Sequence, residues 1–346
     1  MFFASDNAGS VHPQVMEALA EANQGYAMGY GNDPLTAEVQ AQIREIFEAP
    51  DAMVHFVPTG TAANSIALAA LANPWDTIFC ARHSHIQMDE CNAPEFYSGA
   101  KLTTVGHGDK IDPQELHQTI KDTGVLGVHG AQRGPVAITQ VTEFGQIYTV
   151  SEIAELTGVA KEFGCPVHLD GARFANALVA LNCTPADMTW RNGVDAVSFG
   201  GTKNGCMGVE AVVIFDPEKS WEFELRRKRG AHLFSKLRYL SAQMKGYLAN
   251  DLWLQTARQA NDNCARLTEG LKAAGVVFDY EPQANMIFCQ MPRAAHKRLR
   301  DAGAMYYLLE GDPEIGDADE LLPARLVCDW SICAEQIDQF ISIARG

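Results

Sequence analysis

The 346-residue chain has no CxxC pair, no internal repeat, no low-complexity tract, and no run approaching the roughly 18 apolar residues of a membrane span. Each absence removes a class of protein. Its nine scattered cysteines suit free thiols in a reducing compartment better than a disulfide framework or a zinc ribbon. The opening "MFFASDNAGS" has neither a basic nor a long apolar segment, so no targeting signal is legible and a cytoplasmic location is expected. Positive charge is scarce. With 27 Lys and Arg against 43 Asp and Glu, the formal net charge is −16, which argues against nucleic acid or an anionic membrane as the main partner. A small-molecule ligand is the remaining expectation.

What is present is an ample core. A 47% hydrophobic content over this length fills one large domain and a smaller one. The runs "DTIFCA", "KLTTVG", "GVLGVH", "CPVHLD", "DAVSFG" and "EAVVIF" read as strands alternating with helical patterns, which implies a mostly parallel α/β sheet with helices on both faces. In "TVSEIAELTGVAKEFG" the apolar residues recur at helical spacing, with Ser151 as a cap and Gly164 as a stop. From about residue 248 the pattern changes to a long helix followed by "VVFDYEP", "NMIFCQM" and "ARLVCDW", the signature of a smaller α+β unit. We expect residues 1–247 to hold an N-terminal segment and the large domain, and residues 248–346 the small one. The acidic "EGDPEIGDADE" reads as a solvated loop.

Three short stretches carry chemistry. In "VPTGTAANSIALAALA" a strand end runs through Thr59, Gly60 and Thr61 into an alanine-rich helix, whose free N–H groups would suit a phosphate; a plain N-cap is the bland alternative. In "VHLDGARFANAL" Asp170 ends an apolar strand, where α/β sheets bind ligands, and could keep a ring nitrogen protonated while Arg173 holds an anionic oxygen. A structural Asp170–Arg173 pair is the alternative. In "SFGGTKNG" Lys203 stands among small residues with no carboxylate beside it. An amine in such a partly dry pocket has its pKa lowered and becomes nucleophilic toward an aldehyde. Gly200, Gly201 and Gly205 would let a flat ring approach the backbone.

This order of phosphate cup, strand-end aspartate and lysine resembles pyridoxal 5'-phosphate enzymes of the aspartate-aminotransferase fold (fold type I). Within them the chain is most similar to the low-specificity L-threonine aldolases, through "ASDNAGSVHP", "YGNDP", "PTGTAAN", "SHIQMDECNAPE", "HLDGARFANA", "SFGGTKNG" and "ARLV". The resemblance implies that Lys203 holds the cofactor covalently, Asp170 faces its pyridine nitrogen, and Gly60 and Thr61 bind its phosphate. It further implies that His85 stacks on the ring and serves as a base, and that Ser5, Arg173 and Arg325 hold the substrate carboxylate. Arg229 or Lys236, from the basic run "ELRRKRGAHLFSKLR", would reach a phosphate, commonly in a neighbouring subunit of a homo-oligomer built as a dimer of dimers. No metal is expected. The implied reaction is cleavage of L-threonine or L-allo-threonine to glycine and acetaldehyde.

One departure bears on the mechanism. Family members often carry an "ENTHN"-like segment whose histidine lies near the substrate hydroxyl, whereas this chain reads "ITQVTEFG". Thr142 or Glu143 takes that place, which leaves His85, His129 or an ordered water as the base. Two rival readings are another lyase or aminotransferase on the same scaffold, and a metal-dependent hydrolase built on His83, His85 and Asp89 of "RHSHIQMDE".

Overall fold

The computed structural model describes residues 1–346. Seven strands, β1 (Met53–Val57), β2 (Asp76–Ala81), β3 (Lys101–Val105), β4 (Gln132–Thr139), β5 (Val167–Gly171), β6 (Ala196–Gly200) and β7 (Glu210–Ile214), form one sheet in the order β1-β7-β6-β5-β4-β2-β3. The strands β3, β2, β4, β5 and β6 run parallel, and β7 is antiparallel to both β6 and β1. The run "GVLGVH" forms no strand: Gly127–His129 is an exposed 3₁₀ turn, and the strand next to β2 is β4 instead. Val125, Leu126 and Val128 are all exposed, so the run offers no face for a sheet to bury.

Alternation along the strands shows why both faces are covered. Val54, Phe56, Phe79, Val197, Phe199 and Val213 enter the main core, while Val57, Ala196, Val212 and Ile214 point to the opposite face. Each fully buried Val, Ile or Phe among them contributes on the order of 1.5–3 kcal/mol. On that opposite face the helix Gly60–Leu71 packs with Ala62, Ala63, Ile66, Ala67 and Ala70. Its small side chains let the helix axis come close to the sheet, so its first turn sits at the strand ends.

The helix expected around "TVSEIAELTGVAKEFG" runs Val150–Glu162, and its cap is Thr149 rather than Ser151. Thr149 Oγ1 accepts from the Glu152 amide while the Glu152 carboxylate accepts from the Thr149 amide, a reciprocal arrangement that Ser151, inside the first turn, cannot make. Gly164 has φ of +70° and ends the helix as expected.

A second sheet, in the order β10-β11-β9-β8, consists of β8 (Val277–Phe278), β9 (Met286–Pro292), β10 (Tyr307–Leu308) and β11 (Leu321–Val327), all antiparallel. It follows the long helix Leu252–Ala273 and has its own core around Leu267, Ile287, Leu326 and Phe340. The first residues of the chain join this core. Phe3 is fully buried in it, its amide donates to Met305 O (2.7 Å), and Val327 N donates to Phe3 O (2.8 Å). Ser5, Asp6 and Asn7 then cross to the mouth of the larger sheet. No helix is long and apolar enough to cross a membrane.

Candidate active site

The carboxyl ends of β5 and β6 and the first turn of the helix Gly60–Leu71 converge on a cavity of about 310 Å³. Gly60, Thr61, His85, Asp170, Arg173 and Lys203 all line it. Thr59 does act as an N-cap, its Oγ1 accepting from Ala62 N (3.2 Å), but the N–H groups of Gly60 and Thr61 stay unpaired at the positive end of the helix dipole. The N-cap reading therefore holds, and the same turn leaves two amides free to meet an anion. Asp170 is buried, with Oδ2 accepting from Asn64 Nδ2 (2.9 Å) and Oδ1 from Ala172 N (3.1 Å).

Lys203 lies on the 3₁₀ turn Thr202–Asn204 that follows β6, with its side chain lining the cavity and no carboxylate in ion-pair contact. Burial, and then the Arg173 guanidinium, push its amine below the ordinary lysine value, against the pull of Asp6, Glu143 and Asp170. Its glycine neighbours serve a different purpose from the one expected. A Cβ on Gly200 would meet Ala172 O at 2.5 Å and one on Gly201 would meet Val209 O at 2.9 Å, so these residues permit close backbone packing rather than approach of a ring. Gly205 has φ of +114°, which the turn requires.

Arg173 pairs with Asp6, not with Asp170. Nε donates to Oδ2 at 2.7 Å and Nη2 to Oδ1 at 3.0 Å, both side chains being almost wholly buried. Asn285 Nδ2 adds a third donor to Asp6 (3.0 Å). Burial alone would raise the Asp6 carboxyl, but Arg173 and Lys203 outweigh it and hold the group below its usual value. His85 Nδ1 is 2.8 Å from Glu90 Oε1. That bond raises the histidine above its ordinary value against its burial, while burial raises Glu90. Asn64 Nδ2 donates to Glu90 as well as to Asp170, so one amide ties the histidine pair to the strand-end aspartate.

A second cavity, about 550 Å³, opens beside the first and shares His85, Glu143, Arg173 and Lys203 with it. Ser5 and Arg325 line it. Arg325, on β11, has no carboxylate partner; burial, then Arg173, lower its pKa. Glu143 faces both cavities, whereas Thr142 is turned away and donates its hydroxyl to Asp109. The exposed His129 lines neither cavity. Arg229 and Lys236 are likewise exposed and outside both. His83, His85 and Asp89 all line the outer cavity, but His85 is committed to Glu90 and His83 packs on Phe144 with ring centroids 4.9 Å apart. No group of three His, Cys, Asp or Glu is placed to hold a metal ion.

Glu90, Asn64, Asp6 and Glu210 belong to the site and escaped sequence reasoning. Two of them left a trace. Asn64 is a lone amide on the buried side of an alanine-rich helix, and Glu210 is a charge opening the buried strand "EAVVIF".

Pyridoxal 5'-phosphate suits these residues. A Cβ on Gly60 would meet nothing within 4 Å, the two helix-start amides are unpaired, and the buried Asn64 Oδ1 at the cavity wall has no hydrogen-bond partner. Comparison with known proteins agrees with this chemistry. Residues 3–294 match the beta-eliminating lyase family. The chain is 38% identical to the low specificity L-threonine aldolase of a Pseudomonas species over 95% of this chain and 92% of that protein. It is also 38% identical to the one of Pseudomonas aeruginosa, over 97% and 94%. The solved threonine aldolase of Leishmania major superposes with a TM-score of 0.92 at 26% identity, covering 99% of this chain and 98% of that one. The chain belongs to the beta-eliminating lyase family, among the low-specificity L-threonine aldolases.

Proposed function

We propose that the protein is a pyridoxal-phosphate-dependent aldehyde-lyase that cleaves L-threonine or L-allo-threonine to glycine and acetaldehyde. The observation that carries this reading is the position of Lys203: an amine without a counter-ion, in one cavity with Asp170, Gly60 and Thr61, and open to a second cavity that holds an unpaired arginine. Bound there, the cofactor supplies an electron sink for the pair left on Cα when the Cα–Cβ bond breaks. The chain's own groups do the rest. Lys203 would anchor the cofactor, and Asp170 would hold a proton on its ring nitrogen, which keeps such a sink effective. Arg325 and Ser5 would hold the substrate carboxylate, joined by the Arg173 nitrogen not engaged by Asp6, and that grip would select which bond at Cα is broken.

His85 would lie against the cofactor, and its Nε2, not engaged by Glu90, would take the hydroxyl proton. Glu143 is the alternative base, because its carboxylate faces both cavities without a hydrogen-bond partner. The same reading includes a homo-oligomer: Arg229 and Lys236 lie outside their own chain's cavity, so a phosphate contact from either would be made to a neighbouring copy. It also places the domain division between residues 247 and 248, just ahead of the helix Leu252–Ala273, and the protein, with nine unpaired cysteines, in the cytoplasm.

Cofactor-supplemented Lys203→Ala is expected to lose borohydride-trappable cofactor and turnover together. Asp170→Ala is expected to retain some cofactor and lose rate on the order of a hundredfold or more. Acetaldehyde and glycine as products separate this reading from elimination or transamination, which release ammonia or a keto acid. Normal turnover in Lys203→Ala overturns it.

A further inference from the structure

A buried carboxyl sits where the cavity wall should be least tolerant of one. Strand register places Glu210 opposite Val57 on β1 and opposite Gly200 on β6. It therefore lies between the strand that leads to Thr59–Thr61 and the strand that leads to Lys203. Its side chain is buried and lines the same cavity as Gly60, Thr61, Thr202 and Lys203. Its hydrogen bonds come from Gly201 N (3.0 Å) and the Thr202 hydroxyl (2.7 Å), not from a lysine or arginine.

The charges around Glu210 oppose one another. Lys203, on the turn, favours its ionised form and Asp170, at the end of β5, disfavours it; Cys206 and Tyr247, from the turn and the helix Arg238–Leu248, feel its charge in return. From β1 and the helix Gly60–Leu71, the segment 57–61 presents no ionisable side chain. Burial, against the bonds from Thr202 and Gly201, pushes Glu210 up to about 7. A phosphate dianion in the adjacent cup adds like charge in a poorly solvated space, which favours the neutral acid further.

We propose that Glu210 is the proton acceptor coupled to cofactor loading: seating the phosphate in the Thr59–Thr61 cup draws one proton from solvent onto the Glu210 carboxylate. The proton adds to a carboxylate oxygen and no other bond changes. The neutral acid no longer repels the phosphate and retains an acceptor oxygen for the Lys203 turn. This inference rests on the proposed cofactor site, and it adds a pH dependence that the site alone does not imply.

The test is calorimetric titration of the cofactor-free full chain with pyridoxal 5'-phosphate in buffers of different ionisation enthalpy. Above neutrality the native chain is expected to take up about one proton per site more than Glu210→Gln, and its Kd to rise relative to that of the variant by about tenfold per pH unit. Because Lys203 and Glu210 feel each other's charge, proton exchange at Lys203 is measured in each protein with pyridoxal, which lacks the phosphate, and subtracted. The difference with pyridoxal should be much the smaller of the two, and Glu210→Asp should keep the uptake. Infrared difference spectra of the native chain need no variant: loading should produce a protonated-carboxyl stretch. Equal proton uptake in native and Gln proteins, a difference as large with pyridoxal as with the phosphate ester, or no such stretch on loading would overturn the proposal. Failure of the cofactor reading itself looks different, since the visible spectrum of added cofactor would then not change at all.

Discussion

Among single residues, Asp6 and Arg173 form an almost wholly buried ion pair. Asp6→Asn keeps the shape but leaves a buried guanidinium without a counter-charge, at a cost of about 3–5 kcal/mol measurable by denaturant unfolding. The pH dependence follows from the direction of the Asp6 shift. A carboxyl held below its unfolded value stabilises fully above that value and loses the contribution as pH falls through the folded one. The native chain should therefore lose this stability on the acid side of the ordinary carboxylate range, and Asp6→Asn should lack that part of the acid transition. How much was legible at this scale depended on reach. Lys203, Asp170, Gly60 and Thr61 stand at strand ends among small residues, and that local context carries their chemistry. Asp6 and Glu90 act through partners 167 and 5 residues away, and neither pairing leaves a local pattern.

Among elements, β4 shows why strand reading failed in one place. It contains Gly134 and Pro135, residues that argue against a central strand. The register nevertheless shifts between Thr77 and Phe79 of β2 at that point, and a Cβ on Gly134 would meet Thr77 O at 2.6 Å. A bulge absorbs the proline and needs the glycine, so tertiary packing overrides local propensity there. The helix Val150–Glu162 was readable by period, and its true cap is testable: Thr149→Ala should cost about 1 kcal/mol in denaturant unfolding while kcat of the loaded protein stays unchanged.

For the whole molecule, the decisive feature is the route of the first seven residues. Phe3 is locked into the core of the second sheet, and three positions later Asp6 grips Arg173 at the mouth of the first. Phe3→Ala should cost about 3–5 kcal/mol by cavity formation. Because Asp6 is bonded to Arg173 and also to Asn285, just ahead of β9, both sheets are pinned by one carboxylate. Swinging the two bodies apart would strip a buried guanidinium of its counter-charge on every catalytic cycle. The exposed Tyr307 and Leu309 line the outer cavity, so its mouth is open to solvent with that ion pair intact, a clamped vessel rather than a jaw.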